Sequence, residues 1–133
     1  MSSNRPALTS HEIISGYSTP ALAFLGDAVY EQLVRKMLVL KSNKPAGVLH
    51  KEAVRLVCCE FQSNAVERIY DSLSPEEQEI FKRGRNHDGI SPPKHSTAQD
   101  YRRATGLECV FGYLSLLGDD NRIAELFEML IGE

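Results

Sequence analysis

The sequence predicts an all-α protein of about six to seven helices. Apolar residues recur every three or four positions along most of the chain, and no segment alternates apolar and polar residues as a strand would. Helix-start signals such as Ser74 before Pro75 precede several of these segments. With 133 residues, 42% of them hydrophobic, the chain is expected to form a single domain over residues 1–133.

The first half of the chain predicts three long helices after a short opening helix at residues 10–14. Thr19 as N-cap and Pro20 as the first helical residue start a helix that continues to about Leu40. Its apolar stripe is expected to consist of Leu22, Leu25, Val29, Leu33, Met37 and Leu40. A turn at residues 41–45 separates it from a second helix at about 46–60, and a third is expected at about 62–72.

The second half predicts three more helices around one loop. Ser74 with Glu76 and Glu77 marks a capped start of a helix that ends near Arg83 or Gly84. An Asp-Gly and a Pro-Pro pair then predict a loop at residues 85–95. Thr97 caps a helix that ends at Gly118, and a final amphipathic helix runs from about residue 119 to 131.

Two isolated carboxylates are the most informative feature of the sequence. Asp27 is the only charged residue within residues 20–30, and Glu108 is the only one within residues 105–117. Both segments are predicted as helices that are apolar around most of their circumference, so both carboxylates are expected within the core. An unpaired ionised carboxylate there is very costly. Protonation, a salt bridge or a bound metal would remove that cost, and oxygen ligands of this kind suit magnesium.

Small residues flank both carboxylates on their helices, namely Ala23, Gly26, Ala104 and Gly112. They would let two helices approach closely or leave room for a hydrated ion, which is a reason for tolerating glycine at a cost of about 1 kcal/mol within a helix. The competing interpretation is a buried salt bridge to an arginine such as Arg55, Arg102 or Arg103. Spacing alone favours neither interpretation, because structural ion pairs perturb carboxylates as functional sites do.

Charge is unevenly distributed along the chain. The formal net charge is −3, but residues 82–103 contain six basic and two acidic residues. Such a local basic strip can bind a polyanion, although a solvated surface loop is the more ordinary reason for it. No uncharged stretch is long enough for a membrane span and the first residues do not resemble a signal peptide, so a cytoplasmic protein is expected.

The motifs themselves resemble those of the ribonuclease III family. FLGDAVY at residues 24–30 is similar to that family's FLGD signature, whose aspartate binds catalytic magnesium, and YRRATGLECVFGYLSLLG at residues 101–118 is similar to its later helix, whose glutamate aligns with Glu108. FKRGRN at 81–86, PPK at 92–94 and LHKEA at 49–53 point more narrowly to the Mini-ribonuclease III family, which lacks a double-stranded-RNA-binding domain. The fold implied is a ribonuclease III endonuclease-domain-like helical bundle.

The sequence also departs from the larger ribonuclease III enzymes. Those enzymes have carboxylates at the positions of Pro20, Ala23 and Thr105, whereas the smaller family shares the reduced set found here. Asp27 and Glu108 are therefore the only catalytic and metal-binding residues that the resemblance transfers. Magnesium accepts one or two carboxylates together with waters and phosphate oxygens. Glu31, one turn after Asp27, would be near the same site, but a surface role is the more ordinary one for it.

The resemblance implies a magnesium-dependent endoribonuclease that hydrolyses double-stranded RNA, with Mn²⁺ able to substitute and with 5′ phosphate and 3′ hydroxyl products. The family's usual substrate is the large-subunit (23S) ribosomal RNA precursor, and a ribosomal protein can shape that substrate. A homodimer is implied, because each site cuts one strand. The RNA backbone would be contacted mainly by Lys82, Arg83, Arg85, Asn86 and Lys94.

Two other functions remain open at this point. A non-catalytic protein of the same fold would bind RNA or associate with the ribosome, but it would not need to keep Asp27 and Glu108 in apolar helices. A purely protein-binding helical module would leave the basic strip unexplained.

Overall fold

The computed structural model describes residues 8–88, 94 and 96–132, and this part of the chain is all-α. The prediction of about six to seven helices is confirmed by seven helices and one 3₁₀ turn at Tyr70–Ser72. The helices are α1 (Ser10–Gly16), α2 (Thr19–Lys41), α3 (Ala46–Val57), α4 (Cys59–Ile69), α5 (Pro75–Arg85), α6 (Ala98–Leu117) and α7 (Asp120–Ile131). Every helix among the described residues is too short or too polar to span a bilayer.

Capping signals place most of the helix starts and ends. Ser74 and Glu77 form a reciprocal capping box at the start of α5, and the Thr97 hydroxyl accepts a hydrogen bond from the backbone N–H of Asp100 in α6. Gly118 ends α6 with a left-handed φ of 79°, which glycine adopts without steric cost. One predicted cap was wrong by a residue, because Ser18 rather than Thr19 caps α2.

The predicted single helix over residues 46–60 is wrong, because the chain breaks at Cys58. Cys58 adopts an extended conformation with ψ of 155° and separates α3 from α4. No glycine or proline marks this break in the sequence. As a consequence α4 begins at Cys59, three residues earlier than predicted, and the predicted end of the third helix becomes the 3₁₀ turn.

Helix α6 is the central helix and packs against α2, α4 and α5. Its residues are almost continuously buried from Ala104 to Leu114, with Glu108 as the one partly exposed position. This all-round burial agrees with the apolar circumference that the sequence predicts for this segment.

Helix α2 buries a face that overlaps the predicted stripe only in part: Leu22 is buried, and Val29, Leu33 and Met37 are partly buried against the core. Leu22, Gly26, Tyr30 and Val34 are its buried residues after the first turn, whereas Leu40 is 77% exposed. Asp27 follows Gly26 and is exposed, so the expectation of a core position for Asp27 is wrong. The apolar residues on the outer side of α2 are instead at the surface of the single chain, with Phe24 84% exposed.

Two glycines allow α2 and α6 to approach closely, as the small residues of the sequence predict. A Cβ atom at Gly26 would overlap the backbone carbonyl of Glu108, and one at Gly112 would overlap the carbonyl of Leu22. Each glycine therefore faces the backbone of the other helix. The contact at Gly26 sets Asp27 and Glu108 next to each other in space.

An ion pair fastens the last helix to the start of α5. The guanidinium of Arg122 in α7 donates to both carboxylate oxygens of Glu77 at 2.9 Å, and also to the carbonyl of Ser72 at 2.7 Å. Glu77 is only 3% exposed. Burial acts to raise the pKa of Glu77, but hydrogen bonds from Arg122 and Ser74 outweigh it and hold the pKa below its ordinary value.

Candidate metal and RNA-binding site

The structure brings Asp27 and Glu108 together. Asp27 lies on the exposed side of α2 one residue after the close contact at Gly26, and Glu108 lies on α6 at that same contact. The two carboxyl groups are near enough for protonated Glu108 to hydrogen-bond to Asp27. Two residues that are 81 positions apart in the sequence thus form one acidic centre at the edge of the core.

Electrostatics at this centre disfavour a negative charge on Glu108. Burial, followed by the charge of Asp27, raises the pKa of Glu108 to about 8, and the side chain of Gln62 opposes the shift in part. Near neutral pH the pair therefore retains a proton when no cation is present. A divalent cation would relieve both the repulsion and the loss of hydration.

The salt-bridge interpretation of the two carboxylates finds no support in the described residues. No ion pair among the described residues involves Asp27 or Glu108. Arg103, one of the candidate partners, pairs with Glu67 at 3.2 Å. Glu31 pairs with Arg35 at 2.6 Å along the surface of α2. The surface role expected for Glu31 agrees with this contact.

Residues near Glu108 extend the centre beyond the two predicted carboxylates. Gln62 is a neighbour that lowers the pKa of the Glu108 carboxyl group. Burial is the main reason that the pKa values of Tyr101 and Cys59 are raised, and the negative charge of Glu108 raises both further. The sequence motifs do not identify Gln62. Its spacing with Ala65, Val66 and Ile69 is the signal that places it on the inward face of α4.

The donor set fits a hydrated divalent cation. In the described part of the chain, no third His, Cys, Asp or Glu joins the pair to complete a three-ligand site. The Gln62 side chain lies near Glu108, and its buried Oε1 atom has no hydrogen-bond partner among the described residues. Two carboxylates with an unpartnered amide oxygen suit magnesium, which retains several waters when it binds proteins.

The basic strip is partly assembled on one surface. Lys82 and Asn86 are exposed at the end of α5, and together with Arg83 they line a shallow depression that also includes Glu79, His87 and Asp88. Lys94 is exposed beyond it, while residues 89–93 and 95 of the predicted loop lie outside the described residues. The strip thus contains acidic as well as basic groups.

Two arginines of the strip, Arg83 and Arg85, already have partners within the chain. The guanidinium of Arg83 donates to the carbonyl oxygens of Ile14 and Tyr17, each at 2.8 Å. Arg85 donates to Asn86 at 3.1 Å and lies over the ring of Phe81. Lys82 is therefore more available than Arg83 to a ligand in solution.

Comparisons with known proteins match this site to a family. The model of the Ribonuclease III domain matches residues 20–119, a segment that includes both carboxylates. A Mini-ribonuclease 3 from a Thermoanaerobacter species is 42% identical over 96% of this chain and 89% of its own length. The Mini-ribonuclease 3 of Clostridium tetani is 43% identical over 83% of this chain and 74% of its own length. The chain belongs to the Mini-ribonuclease 3 family.

The fold comparison agrees with this membership. A crystal structure of a Fusobacterium nucleatum protein superposes with a TM-score of 0.80 at 32% sequence identity, and the match covers 89% of this chain and 94% of that one. Membership of the ribonuclease III family supports an endoribonuclease activity for this Mini-ribonuclease 3 homologue, and enzymes of this family generally require a divalent metal.

Proposed function

We propose that the protein is a magnesium-dependent endoribonuclease that hydrolyses double-stranded RNA. The observation that carries this proposal is the meeting of Asp27 and Glu108 at the α2–α6 contact, inside the segment matched by the Ribonuclease III domain. The proposed natural substrate is the large-subunit (23S) ribosomal RNA precursor, cut in the cytoplasm to leave 5′ phosphate and 3′ hydroxyl ends. A ribosomal protein is proposed to shape that substrate.

Asp27 and Glu108 are the residues proposed to hold the cation. Asp27 is exposed and presents its carboxylate to solvent, while Glu108 is partly buried and must lose its proton to serve as a ligand. Magnesium, or Mn²⁺ in its place, supplies Lewis-acid activation of water and charge stabilisation at the phosphodiester. Asp27 is the more exposed of the two carboxylates, so the RNA is proposed to approach the pair from the side of Asp27.

The basic strip is proposed to bind the RNA backbone. Exposed Lys82, Asn86 and Lys94 can contact phosphates directly, as suits A-form RNA, which is recognised largely through phosphates and 2′ hydroxyls. Arg85 is proposed to join them after a shift from Asn86. Arg83 is proposed to act chiefly by holding the α1–α2 connection against the end of α5, because its guanidinium already binds two carbonyl groups.

A homodimer is proposed, with the outer face of α2 as its contact surface. Phe24, Val39 and Leu40 are 84%, 53% and 77% exposed on this helix. A groove along the helix is lined by apolar residues such as Val39 and by charged residues such as Arg35. Exposed large apolar side chains on one helix are typical of an interface between subunits. A twofold pair of sites would allow both strands of a duplex to be cut.

Cleavage of a labelled RNA duplex, with magnesium or with EDTA, tests the proposed function. We expect the parent protein to cut only with magnesium, and we expect Asp27→Asn and Glu108→Gln each to lose at least a hundredfold in rate while still binding the duplex. The control is Glu31→Gln, which changes a carboxylate of the same helix that is paired with Arg35. Near-parental cutting by either of the first two variants would contradict the proposal and favour a non-catalytic RNA-binding protein.

A further inference from the structure

Gln62 is a polar side chain in an unusual position. It lies in the first turns of α4, on the face that also buries Ala65 and Val66, and it is only 1% exposed. Buried polar groups in proteins are almost always hydrogen-bonded, because burial removes them from water. A glutamine in this position therefore needs partners for both its amide N–H groups and its carbonyl oxygen.

The protein satisfies only part of this side chain. Nε2 donates to the carbonyl of Val57, the last residue of α3, at 3.0 Å. The same side chain lies beside Glu108, where it favours the ionised form of that carboxyl group. Oε1 is fully buried and has no partner among the described residues. A water molecule can supply the donor that Oε1 lacks among the described residues, because ordered waters commonly satisfy buried polar groups.

We propose that Gln62 is a positioning residue of the metal site, whose amide N–H orients Glu108 while Oε1 accepts a hydrogen bond from a water in the hydration shell of the cation. This inference rests on the proposed function, since it requires a cation at Asp27 and Glu108. The tie to Val57 fixes the amide at the break between α3 and α4. An amide held in this way presents its oxygen without the loss of side-chain freedom that a surface glutamine would suffer.

Ser63, the residue after Gln62, shows that burial alone does not place a polar side chain at the metal site. Ser63 is also fully buried, and its Oγ atom is likewise unpartnered. However, Ser63 is not among the groups that shift the pKa of Glu108, whereas the Gln62 side chain lies close enough to lower it. Partners of metal-binding carboxylates typically change metal affinity by 10–100-fold when they are removed. Ser63 therefore provides a matched control from the same turn of α4.

Mn²⁺ binding to the RNA-free protein, followed by the electron paramagnetic resonance of free Mn²⁺, tests the proposal independently of cleavage. Gln62→Met retains the side-chain length and removes both amide groups, and we expect it to bind Mn²⁺ at least tenfold more weakly than the parent. Gln62→Glu loses the amide donors to Val57 and Glu108 but places a negatively charged oxygen where Oε1 lies. We expect the attraction of this charge for the cation to outweigh the lost donors and to tighten binding. Ser63→Ala is expected to bind as the parent does. Circular dichroism of each variant verifies folding.

Two results would overturn the proposal. One is a folded Gln62→Met that binds Mn²⁺ as tightly as Ser63→Ala. The other is a Gln62→Glu variant that binds Mn²⁺ no more tightly than the parent, which would mean that the side chain only joins α3 to α4. The Gln62→Glu result tests the proposal even if Gln62→Met does not fold. Asp27→Asn in the same titration distinguishes the role of Gln62 from the metal site itself. If Asp27→Asn binds Mn²⁺ as tightly as the parent, the proposed function is wrong. If Asp27→Asn loses Mn²⁺ binding while Gln62→Met retains it, only the proposed role of Gln62 is wrong.

Discussion

At the scale of a single residue, the surroundings of Glu108 determine whether its carboxyl group is protonated. Burial and the nearby charge of Asp27 act in the same direction, and together they raise the pKa of Glu108 to about 8. A carboxyl group that is costly to ionise is poorly suited to stabilising the fold on its own. Its position is explained if ionisation is coupled to the binding of a cation.

Stability without metal is therefore expected to fall as the pH rises from about 5 to 8. The folded protein retains the proton of Glu108, with a pKa of about 8, while the unfolded chain releases it near the ordinary 4.5, so deprotonation favours unfolding over this range. Thermal melting in EDTA measures the effect, and added Mg²⁺ should raise the melting temperature more at pH 8 than at pH 5.5. Glu108→Gln should have a flatter profile between pH 5 and 8; an unchanged slope in this variant would contradict the assignment.

The two adjacent basic residues at the end of α5 are expected to differ in role. Arg83→Ala removes donors to the carbonyls of Ile14 and Tyr17, so we expect it to lower the free energy of unfolding by about 2 kcal/mol. Lys82→Ala changes an exposed residue, and we expect a change in stability within about 0.5 kcal/mol.

The affinity of Lys82→Ala for duplex RNA, measured at several salt concentrations, tests whether Lys82 contacts phosphate. Lys82→Ala should weaken binding and reduce the slope of log affinity against log salt by about one for each phosphate that the lysine neutralises. A Lys82→Ala variant with the parental slope would show that this lysine does not touch phosphate. Parental melting of Arg83→Ala would show that its bonds to the two carbonyls are unimportant.

At the scale of the elements, the contact between α2 and α6 forms the site. Gly26 and Gly112 each face the backbone of the opposite helix, so the two helices lie closer than side chains would permit. The sequence predicts this approach, because two glycines inside apolar helices need a packing reason. The sequence does not predict that Asp27 is exposed, because periodicity alone cannot tell which side of an apolar helix meets the core and which remains at the surface of the chain.

Gly26→Ala is expected to disrupt this contact. The added methyl group would overlap the carbonyl oxygen of Glu108, a backbone atom that can move only with α6, so we expect a loss of about 3 kcal/mol or failure to fold. Gly47→Ala is the matched control, because a Cβ at Gly47 in α3 meets no atom within 4 Å. It should leave stability unchanged or slightly increased. Chemical denaturation of both variants measures the difference, and equal stability would contradict the close packing described here.

Helix boundaries illustrate which parts of the fold the sequence specifies. The capped starts at Ser74 and Thr97 and the glycine end at Gly118 are found where their local chemistry predicts them. The break at Cys58 has no such local signal, and it depends on contacts such as the bond from Gln62 to Val57 that form only in the folded chain. In the same way, the intramolecular partners of Arg83 belong to a connection 66 and 69 residues away in sequence.

At the scale of the whole molecule, the single chain leaves apolar surface uncovered along α2. Phe24, three residues before Asp27, is 84% exposed, so the proposed subunit contact would lie beside the proposed active site. A dimer formed in this way would place the two sites on either side of the interface. The family resemblance implies a homodimer, and this exposed surface is consistent with one. The sequence does not predict which helix forms the contact, because the exposure of Phe24 depends on the fold.

Phe24→Asp is expected to convert the proposed dimer into monomers. A charge at the centre of an apolar contact would be buried without a partner, which strongly opposes association. Sedimentation equilibrium measures the mass of each species. The control is Val54→Asp, a similar change at a 49% exposed apolar residue of α3, which should leave the dimer intact. Dimers of Phe24→Asp with parental affinity, or a monomeric parent protein, would contradict the proposed interface.

The most direct measurement of the shared cation site is anomalous X-ray diffraction from crystals of the protein grown with Mn²⁺. We expect an anomalous peak in contact with carboxylate oxygens of both Asp27 and Glu108, and we expect the peak to disappear in Asp27→Asn crystals. A cation bound elsewhere, or a peak that contacts only one of the two residues and persists in the variant, would contradict the proposed site.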